Sequence, residues 1–360
     1  MLYWNHIIGH DRIKTVLSSA IERDRLHHGY LFSGPHGVGK FSFALALAAT
    51  LNCDRRAPGT FAPSCGECSS CKRTSSRQHP DLHFIAPTGT QIKTIKIEAI
   101  RELQRICISK PFEKGYRFVF IDDAHYMSEE AANALLKTLE EPPERTVLVV
   151  ITDQPHRLLE TILSRCQLMR FGSLKATEVS AALEKIYTLQ PPFDAAPANS
   201  LLDPEEDKPS SPPWEVPEKE LFSVAAGYGE GSLGRSLEML EKGILQERRE
   251  LVDRLLFVDP ASQIAWLEGA QFLNDSVQGL KDKLDLLTVF FRDLMFFQHS
   301  GSHRIVNEDL EDLLAALSDR YSSKRLLEIL ESLMDARMRI QYSVSGQLLA
   351  EDIIYRLRPS

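Results

Sequence analysis

The chain has 360 residues, which is too long for one ordinary hydrophobic core and predicts two or three domains. Apolar residues make up 43% and charged residues 26% of it, a composition typical of soluble globular proteins. It contains no run of about 18 apolar residues, so we expect no membrane span. The net charge of −8 argues against a surface that grips nucleic acid throughout, although it is compatible with a local basic face.

The first residues, "MLYWNHIIGHDRIK", lack a basic start followed by an apolar core and a small-residue cleavage site. We therefore predict no signal peptide and a cytoplasmic protein. Six cysteines in that reducing compartment are expected to be thiols or metal ligands rather than disulfides.

Short apolar runs alternate with helical patterns between Tyr30 and Phe171, which predicts a parallel sheet with helices on both faces. The runs are almost continuously apolar, as expected for strands buried on both sides. The predicted strands are Tyr30 to Ser33, Leu82 to Ala86, Arg117 to Asp122, Thr146 to Thr152, and Leu168 to Phe171.

The segment "SEEAANALLKTLEEPP" lies between the third and fourth predicted strands and carries signals for both ends of a helix. Ser128 is a suitable N-cap, and Pro142 with Pro143 cannot continue the helix. We therefore predict a helix that begins just after Ser128 and ends before the two prolines.

After Phe171 no strand pattern of similar quality follows, and the remaining sequence predicts amphipathic helices. The exception is the segment at about residues 190–220, where eight of the 19 prolines fall between Pro191 and Pro217. Such a composition disfavours both helix and sheet, so we predict a disordered insertion there.

The stretch "LFSGPHGVGKFS" (Leu31 to Ser42) follows a strand and precedes an alanine-rich helix, the setting of a phosphate-binding loop. The candidate phosphate-binding residues are Gly34, Gly37, Gly39 and Lys40. The motif requires a hydroxyl residue directly after the lysine as a magnesium ligand, but Phe41 stands there. The sequence thus predicts a P-loop fold more firmly than ATP hydrolysis.

Asp122 and Asp123 end the strand in "FIDDAH", at the carboxyl edge where α/β proteins bind ligands. In a working P-loop ATPase the first acid helps to hold magnesium and the second can polarise the attacking water. The alternative is that both acids only end a strand and begin a loop.

Four cysteines follow the alanine-rich helix in the spacing C-x11-C-x2-C-x2-C. Four thiolates at this spacing can close a tetrahedral zinc site, and the small polar residues between them would not otherwise order the loop. The predicted ligands are Cys53, Cys65, Cys68 and Cys71, with a redox pair or chance clustering as the alternatives. The isolated Cys107 and Cys166 are expected to be small buried residues.

Together with "TILSRC" (Thr161 to Cys166), these motifs resemble the clamp-loader branch of the AAA+ superfamily, and most closely the delta prime subunits of bacterial DNA polymerase III. The resemblance implies that Arg165, otherwise an ordinary surface arginine, reaches into the ATP site of a neighbouring subunit. It also implies three parts. These are an AAA+ nucleotide-binding domain over residues 1–172 with a zinc module at 53–71, a helical lid over 173–243 that carries the Pro-rich insertion, and an all-α collar over 244–360.

Two departures from the gamma/tau pattern weaken hydrolysis by this chain. Phe41 replaces the hydroxyl residue, and Gly234 stands where those subunits carry the sensor 2 arginine, with Arg235 one position late. The resemblance would place sensor 1 at Thr152 or Asp153. We therefore expect no intrinsic ATPase activity and at most weak ATP and magnesium binding.

The resemblance implies a hetero-pentamer with gamma/tau and delta type subunits, which loads the sliding clamp at primer-template DNA within the DNA polymerase III holoenzyme. One alternative is an ATP-hydrolysing motor subunit of the gamma/tau type. Another is an AAA+ protein outside replication that uses its zinc module for protein contacts.

Overall fold

The computed structural model describes residues 3–57, 59–89, 93–188, 219–257, 262–300, 305–340 and 345–358. These residues form two compact units, one within residues 1–216 together with 231–234 and the other within 217–230 and 235–360. Nearly all of the Pro-rich segment lies outside the described residues. The three-part division at residues 172 and 243 stays a prediction.

The first unit contains a five-stranded parallel sheet in the order β2-β3-β4-β1-β5. Its strands are β1 (Gly29–Ser33), β2 (Leu82–Ile85), β3 (Arg117–Ile121), β4 (Thr146–Thr152) and β5 (Gln167–Arg170). All five predicted strands are confirmed, with ends that differ by at most one residue. The order places β1 between β4 and β5, so the loop that follows β1 leaves from the interior of the sheet.

The central strands of the sheet are buried on both sides because helices cover both of its faces. Alternate residues of β1 illustrate this, since Phe32 packs in the cluster of one face and Leu31 in that of the other. The helices of this unit are α1 (Asp11–Glu22), α2 (Lys40–Leu51), α3 (Ser69–Ser75), α4 (Ile97–Cys107), α5 (Glu129–Glu140), α6 (Glu160–Leu163) and α7 (Ala176–Thr188). Residues of α1 and α2 pack on the Phe32 side, and residues of α4 and α5 on the Leu31 side.

The predicted ends of α5 are confirmed. The Ser128 hydroxyl accepts a hydrogen bond from the Ala131 N–H at 3.2 Å, and the helix ends at Glu140, before Pro142 and Pro143. The isolated cysteines are also buried as predicted, with Cys107 in α4 and Cys166 just before β5.

The second unit is helical throughout its described residues, as the sequence predicts. Its helices are α8 (Lys219–Tyr228), α9 (Leu233–Glu241, of which Leu233 and Gly234 belong to the first unit), α10 (Glu247–Leu256), α11 (Gln263–Leu273), α12 (Val277–Ser300), α13 (Glu311–Ser318), α14 (Ser323–Arg339) and α15 (Gly346–Arg356). Within the described ranges, no helix is both long enough and apolar enough to cross a bilayer.

A buried polar network joins three helices of the second unit. The carboxylate of Asp293 in α12 is fully buried and accepts hydrogen bonds from the N–H groups of Val306 and Asn307, each at 2.8 Å. The Asn307 side-chain oxygen accepts in turn from the Tyr228 hydroxyl and from Arg248, both at 2.7 Å. Because buried polar groups are costly unless they are paired, this network fixes α8, α10 and α12 to one loop.

Candidate functional site

The loop between β1 and α2 has the backbone shape of a phosphate-binding loop. Gly37 and Gly39 have φ angles of 73° and 95°, a region that glycine adopts without strain. Gly39 is the N-cap of α2, and a Cβ placed on it would meet nothing within 4 Å. The first N–H groups of a helix have no acceptor within the helix, so the start of α2 offers donors to a phosphate group.

Lys40 is held inside this loop. Its ammonium group donates hydrogen bonds to the carbonyl oxygens of Gly34 and Pro35, each at 2.7 Å, and the residue is only 7% exposed. Burial lowers the pKa of Lys40, while the carboxylates of Asp153 and Asp122 act against that shift. The residues present therefore fit a phosphate group, which could replace the two carbonyl oxygens as partner of the ammonium group.

Asp122 and Asp123 lie directly after β3, at the same edge of the sheet as the P-loop. Burial and the neighbouring carboxylate of Asp123 raise the pKa of Asp122 to about 6, against the opposing effect of the Asp123 N–H and of Lys40. The structure thus brings both predicted acids to the loop that carries Lys40.

The end of β4 adds a third acid, Asp153. Its carboxylate lies 3.3 Å from the ring Nδ1 of His125, and that nitrogen is also 3.2 Å from the Thr152 hydroxyl. The Thr152 hydroxyl also accepts from the N–H of Gln154, at 3.0 Å. His125 was not singled out in the sequence, where its only signal was its place in "FIDDAH".

Phe41 places an aromatic ring where a P-loop ATPase has the hydroxyl ligand of magnesium. The ring centroid lies 6.0 Å from that of Phe84 in β2 and 5.8 Å from that of Phe120 in β3. The guanidinium of Arg77 lies over the same ring, 4.9 Å from its centroid. These residues do not fit a magnesium ion bound in the usual way, because a phenyl ring has no oxygen to offer it.

Gly234, which the resemblance would place at the sensor 2 position, makes a backbone contact with the P-loop. Its N–H donates to the carbonyl oxygen of Gly37 at 2.9 Å, and a Cβ placed on it would lie 3.0 Å from the Gly37 Cα. A side chain at this position would therefore force the loop to move. The next residue, Arg235, belongs to the second unit, where it donates to the carboxylate of Asp285 at 2.8 Å.

The four predicted zinc ligands come together. Their sulfur atoms all lie within 4.8 Å of one another, and those of Cys65 and Cys71 are 3.9 Å apart. Sulfur atoms at the corners of a tetrahedral zinc site are about 3.8 Å apart, given zinc–sulfur bonds of about 2.3 Å. The donor set therefore fits a metal ion.

Backbone N–H groups within the cysteine loop point at sulfur atoms, as a thiolate site requires. The N–H groups of Cys68 and Cys71 lie 3.4 Å from the sulfur atoms of Cys65 and Cys68 respectively. Burial raises the pKa of Cys65, but the N–H groups of Cys68 and Glu67 outweigh it and lower that pKa to about 6. These N–H groups favour the ionised form at Cys65, whereas burial raises the pKa of the Cys68 and Cys71 thiols.

The cysteine cluster is anchored to α2. Cys53 follows that helix by two residues, and the Ser70 hydroxyl donates to the Asn52 carbonyl oxygen at 2.6 Å. The Tyr3 hydroxyl donates to the Gly66 carbonyl oxygen at 2.9 Å, and its ring packs against the cluster. The P-loop and the cysteine cluster therefore lie at the two ends of one buried helix.

Arg165 lies at the opposite edge of the sheet from the P-loop. Its carbonyl oxygen is 3.6 Å from a Cβ placed on Gly29, at the start of β1, whereas the P-loop leaves the end of that strand. Five residues of extended chain span on the order of 15 Å. Its guanidinium lies 2.7 Å from the Glu140 carboxylate and is 35% exposed. The side chain is therefore at the surface and cannot reach the P-loop of its own chain.

A parallel sheet in this order, a P-loop after its interior strand and acids at the ends of β3 and β4 define a P-loop protein of the AAA+ class. The family model for the DNA polymerase III delta subunit matches residues 9–175, and the model for the C-terminal part of that subunit matches residues 242–358.

The curated relatives agree with these two matches. DNA polymerase III subunit delta prime of Bacillus subtilis is 29% identical over 348 residues, covering 96% of this chain and 95% of that protein. The tau/gamma subunit of Haemophilus influenzae is 40% identical, over 51% of this chain and 25% of that protein. The solved structure of the Thermotoga maritima RuvB Holliday junction branch migration motor is 15% identical with a TM-score of 0.45, covering 83% of this chain and 79% of that one.

The chain belongs to the delta prime subunit family of DNA polymerase III, in the clamp-loader branch of the AAA+ proteins.

Replacing Asp122 by asparagine should stabilise the chain at about pH 7.5 by about 1 to 3 kcal/mol. The folded state raises the pKa of this carboxyl from 3.8 to about 6, so between these values the folded state binds more protons than the unfolded state. Stability therefore falls as pH rises through that window, and above it the cost is constant. Urea unfolding at a series of pH values measures the difference between Asp122→Asn and the parent chain.

The gain from Asp122→Asn should shrink towards zero below about pH 3, where the carboxyl is protonated in both the folded and the unfolded state. Glu268→Gln, which changes an exposed carboxyl in α11, serves as the control and should show no such dependence. A gain that is equal at both ends of the pH range would contradict the assignment.

Proposed function

We propose that this chain is the clamp-loader subunit of DNA polymerase III that binds nucleotide weakly, does not hydrolyse it, and supplies Arg165 to the ATP site of a neighbouring subunit. The observation that carries the proposal is the ring of Phe41, which packs against Phe84 and Phe120 at the position of the magnesium hydroxyl.

Loss of hydrolysis follows from the metal requirement of the reaction. Phosphoryl transfer in P-loop enzymes depends on a magnesium ion that bridges the β- and γ-phosphates and is held by the loop hydroxyl and an acid. This chain keeps the acid, Asp122, but has no hydroxyl at position 41. A side chain at position 234, such as a sensor 2 arginine, would also crowd the P-loop, since its Cβ would lie 3.0 Å from the Gly37 Cα.

The trans role of Arg165 is supported by its position. An arginine finger has to be exposed, and it must come from outside the site that it serves. Arg165 lies at the amino edge of β5, while the P-loop lies at the carboxyl edge of β1. Its partner Glu140 is half exposed, so the ion pair is weak enough to be exchanged for a phosphate.

The proposed partners are gamma/tau and delta type subunits in a hetero-pentamer, the sliding clamp, and primer-template DNA contacted through the complex. Family membership supports the loader subunits as partners. For the cysteine cluster we propose one structural zinc ion, because four thiolates within bonding range of one centre are a ligand set that zinc prefers.

A second candidate function is a gamma/tau type motor. The 40% identity to the tau/gamma subunit over half of the chain favours it. The site disfavours it, because Phe41 and Gly234 remove two of the groups on which that motor depends. ATP turnover by the isolated chain decides between the two.

The purified chain should hydrolyse ATP far below about 1 per second, the low end of ordinary enzymes. The reason is that magnesium has no hydroxyl ligand in this P-loop. Phosphate release in the presence of magnesium measures the rate, and a gamma/tau type subunit assayed alongside shows that the conditions support hydrolysis. Turnover at an ordinary enzyme rate would establish the motor function instead.

Elemental analysis of protein purified with reductant and without chelator should find one zinc ion per chain. Cys71→Ser should abolish zinc binding, since Cys71 is the fully buried ligand of the cluster. Cys107→Ala, in α4 and outside the cluster, is the matched control and should retain the metal. Metal-free protein with reduced cysteines would contradict the zinc assignment.

Arg165→Ala should slow ATP turnover by the assembled complex while leaving this chain's fold and zinc content unchanged. At the one site that it serves, the loss should be on the order of a thousandfold. The complex as a whole should slow only in part, because other sites use other arginines. Arg165→Lys should restore little, since an ammonium group cannot reproduce the planar fork of a guanidinium.

The control for Arg165 is Arg105→Ala, which removes another exposed arginine that pairs with a glutamate. It should leave turnover at the parent rate. A complex with Arg165→Ala that assembles normally and turns over ATP and loads clamps as well as the parent would disprove the trans role.

A further inference from the structure

We propose that Arg77 takes the place of the magnesium ion, so that this chain binds nucleotide phosphates without a divalent cation. The inference rests on the nucleotide binding included in the proposed function. It adds the residue that makes such binding independent of metal.

Arg77 lies just after the end of α3, the helix that contains Cys71. The Arg77 N–H donates to the Thr74 carbonyl oxygen at 3.1 Å, and the Gln78 N–H donates to the Arg73 carbonyl oxygen at 2.8 Å. This pair of hydrogen bonds is a Schellman motif, in which the left-handed position is usually glycine. Arg77 occupies it with a φ of 58°, so a residue with a long cationic side chain stands where the backbone favours glycine.

The side chain of Arg77 is half-buried against the P-loop helix. Its guanidinium lies 4.9 Å from the centroid of Phe41, the residue next to Lys40. Phe41 packs against Phe120, and Asp122 follows two residues later, directly after the same strand. The guanidinium therefore lies beside the position where the hydroxyl and the acid of an ATPase would hold magnesium.

The positive charge of Arg77 interacts with the carboxylate of Asp122. Burial lowers the pKa of Arg77, while the carboxylate of Asp122 raises it. An arginine remains protonated in either case, so the site contains a fixed positive charge. A divalent cation at this position would therefore meet electrostatic repulsion from Arg77 as well as a missing ligand.

The same charge suits a phosphate group. A guanidinium offers five N–H donors in a planar fork that matches phosphate oxygens, and its cation–π contact with Phe41 fixes its plane. Arg77 and Lys40 together provide two cations beside the N–H groups of the P-loop. Because Asp122, Asp123 and Asp153 lie close to Lys40, we expect the resulting affinity for nucleotide to be weak.

Titration calorimetry of the full chain with ATP tests the proposal. The buffer should be freed of magnesium by a chelating resin rather than by a soluble chelator, which would strip the cysteine cluster. The dissociation constant should change by less than about twofold when magnesium is added, and Arg77→Gly should weaken metal-free binding by about tenfold or more.

Arg77→Gly is chosen because glycine is the preferred residue at that backbone position, so the variant should fold at least as well as the parent. Arg55→Ala is the control, since it removes an exposed arginine of the cysteine loop that pairs with Glu67. It should bind ATP as the parent does. The double variant Phe41→Ser with Arg77→Gly should acquire magnesium-dependent binding.

Three results would overturn the proposal: binding that requires magnesium, binding that is unchanged in Arg77→Gly, or no ATP binding under either condition. None of them touches the proposed trans role of Arg165, which is measured as turnover by the assembled complex. A lack of ATP binding would also remove the weak nucleotide binding from the proposed function, whereas the other two results leave that binding intact. Hydrolysis by the isolated chain would overturn the proposed function instead, so the failures are distinguishable.

Discussion

The parallel pairing of β1 with both β4 and β5 determines where the P-loop, Asp153 and Arg165 lie. Because the three strands run in the same direction, the residues that follow β1 and β4 emerge at one edge of the sheet. The P-loop and Asp153 meet there, and the Gly34 N–H donates to the carbonyl oxygen of Thr152. The same pairing sends the residues that precede β5, including Arg165, to the opposite edge. One set of backbone hydrogen bonds thus separates the groups that would bind nucleotide from the group that would serve a neighbour.

Helix α2 links the P-loop to the cysteine cluster. It is almost entirely buried, and it begins at Lys40 and ends two residues before Cys53. The helix itself is held by the aromatic cluster of Trp4, Phe32 and Phe43. Since close-packed interiors are hardly compressible and transmit strain, a change at the cysteine cluster would reach the P-loop through this buried helix. The cysteine cluster is therefore part of the framework that holds the P-loop.

The residue at position 41 changes the packing beside the P-loop as well as its chemistry. Replacement of a hydroxyl residue by Phe41 does more than remove a ligand, because the ring extends the stacked pair of Phe84 and Phe120 towards the P-loop. Aromatic side chains contribute substantially to packing, so a return to serine at this position would leave a cavity. The surface over the ring is covered by Arg77. A site that has lost a metal ligand has thus become part of a stable core, which fits a subunit whose contribution to ATP turnover is proposed to lie elsewhere.

Local sequence determined much of this protein. Continuous apolar runs identified all five strands, Ser128 and the paired prolines identified the ends of α5, and the spacing of four cysteines identified a cluster that the structure brings within metal-binding range. These features were accessible because each depends on residue types that are neighbours in the chain. Position 41 was informative for the same reason, since the motif fixes which residue follows the lysine.

Only the tertiary structure decided which distant residues contact one another at the site. Arg77 lies over Phe41, His125 lies between Thr152 and Asp153, and Gly234 touches the P-loop at Gly37. Each of these contacts joins residues from different segments, and none leaves a periodic or motif signal in the sequence. The sequence places glycine at position 234, but only the structure shows that a Cβ there would lie 3.0 Å from the Gly37 Cα. Contacts of this kind depend on how whole strands and helices pack, because packing distance and direction, and not residue type alone, decide which distant side chains meet.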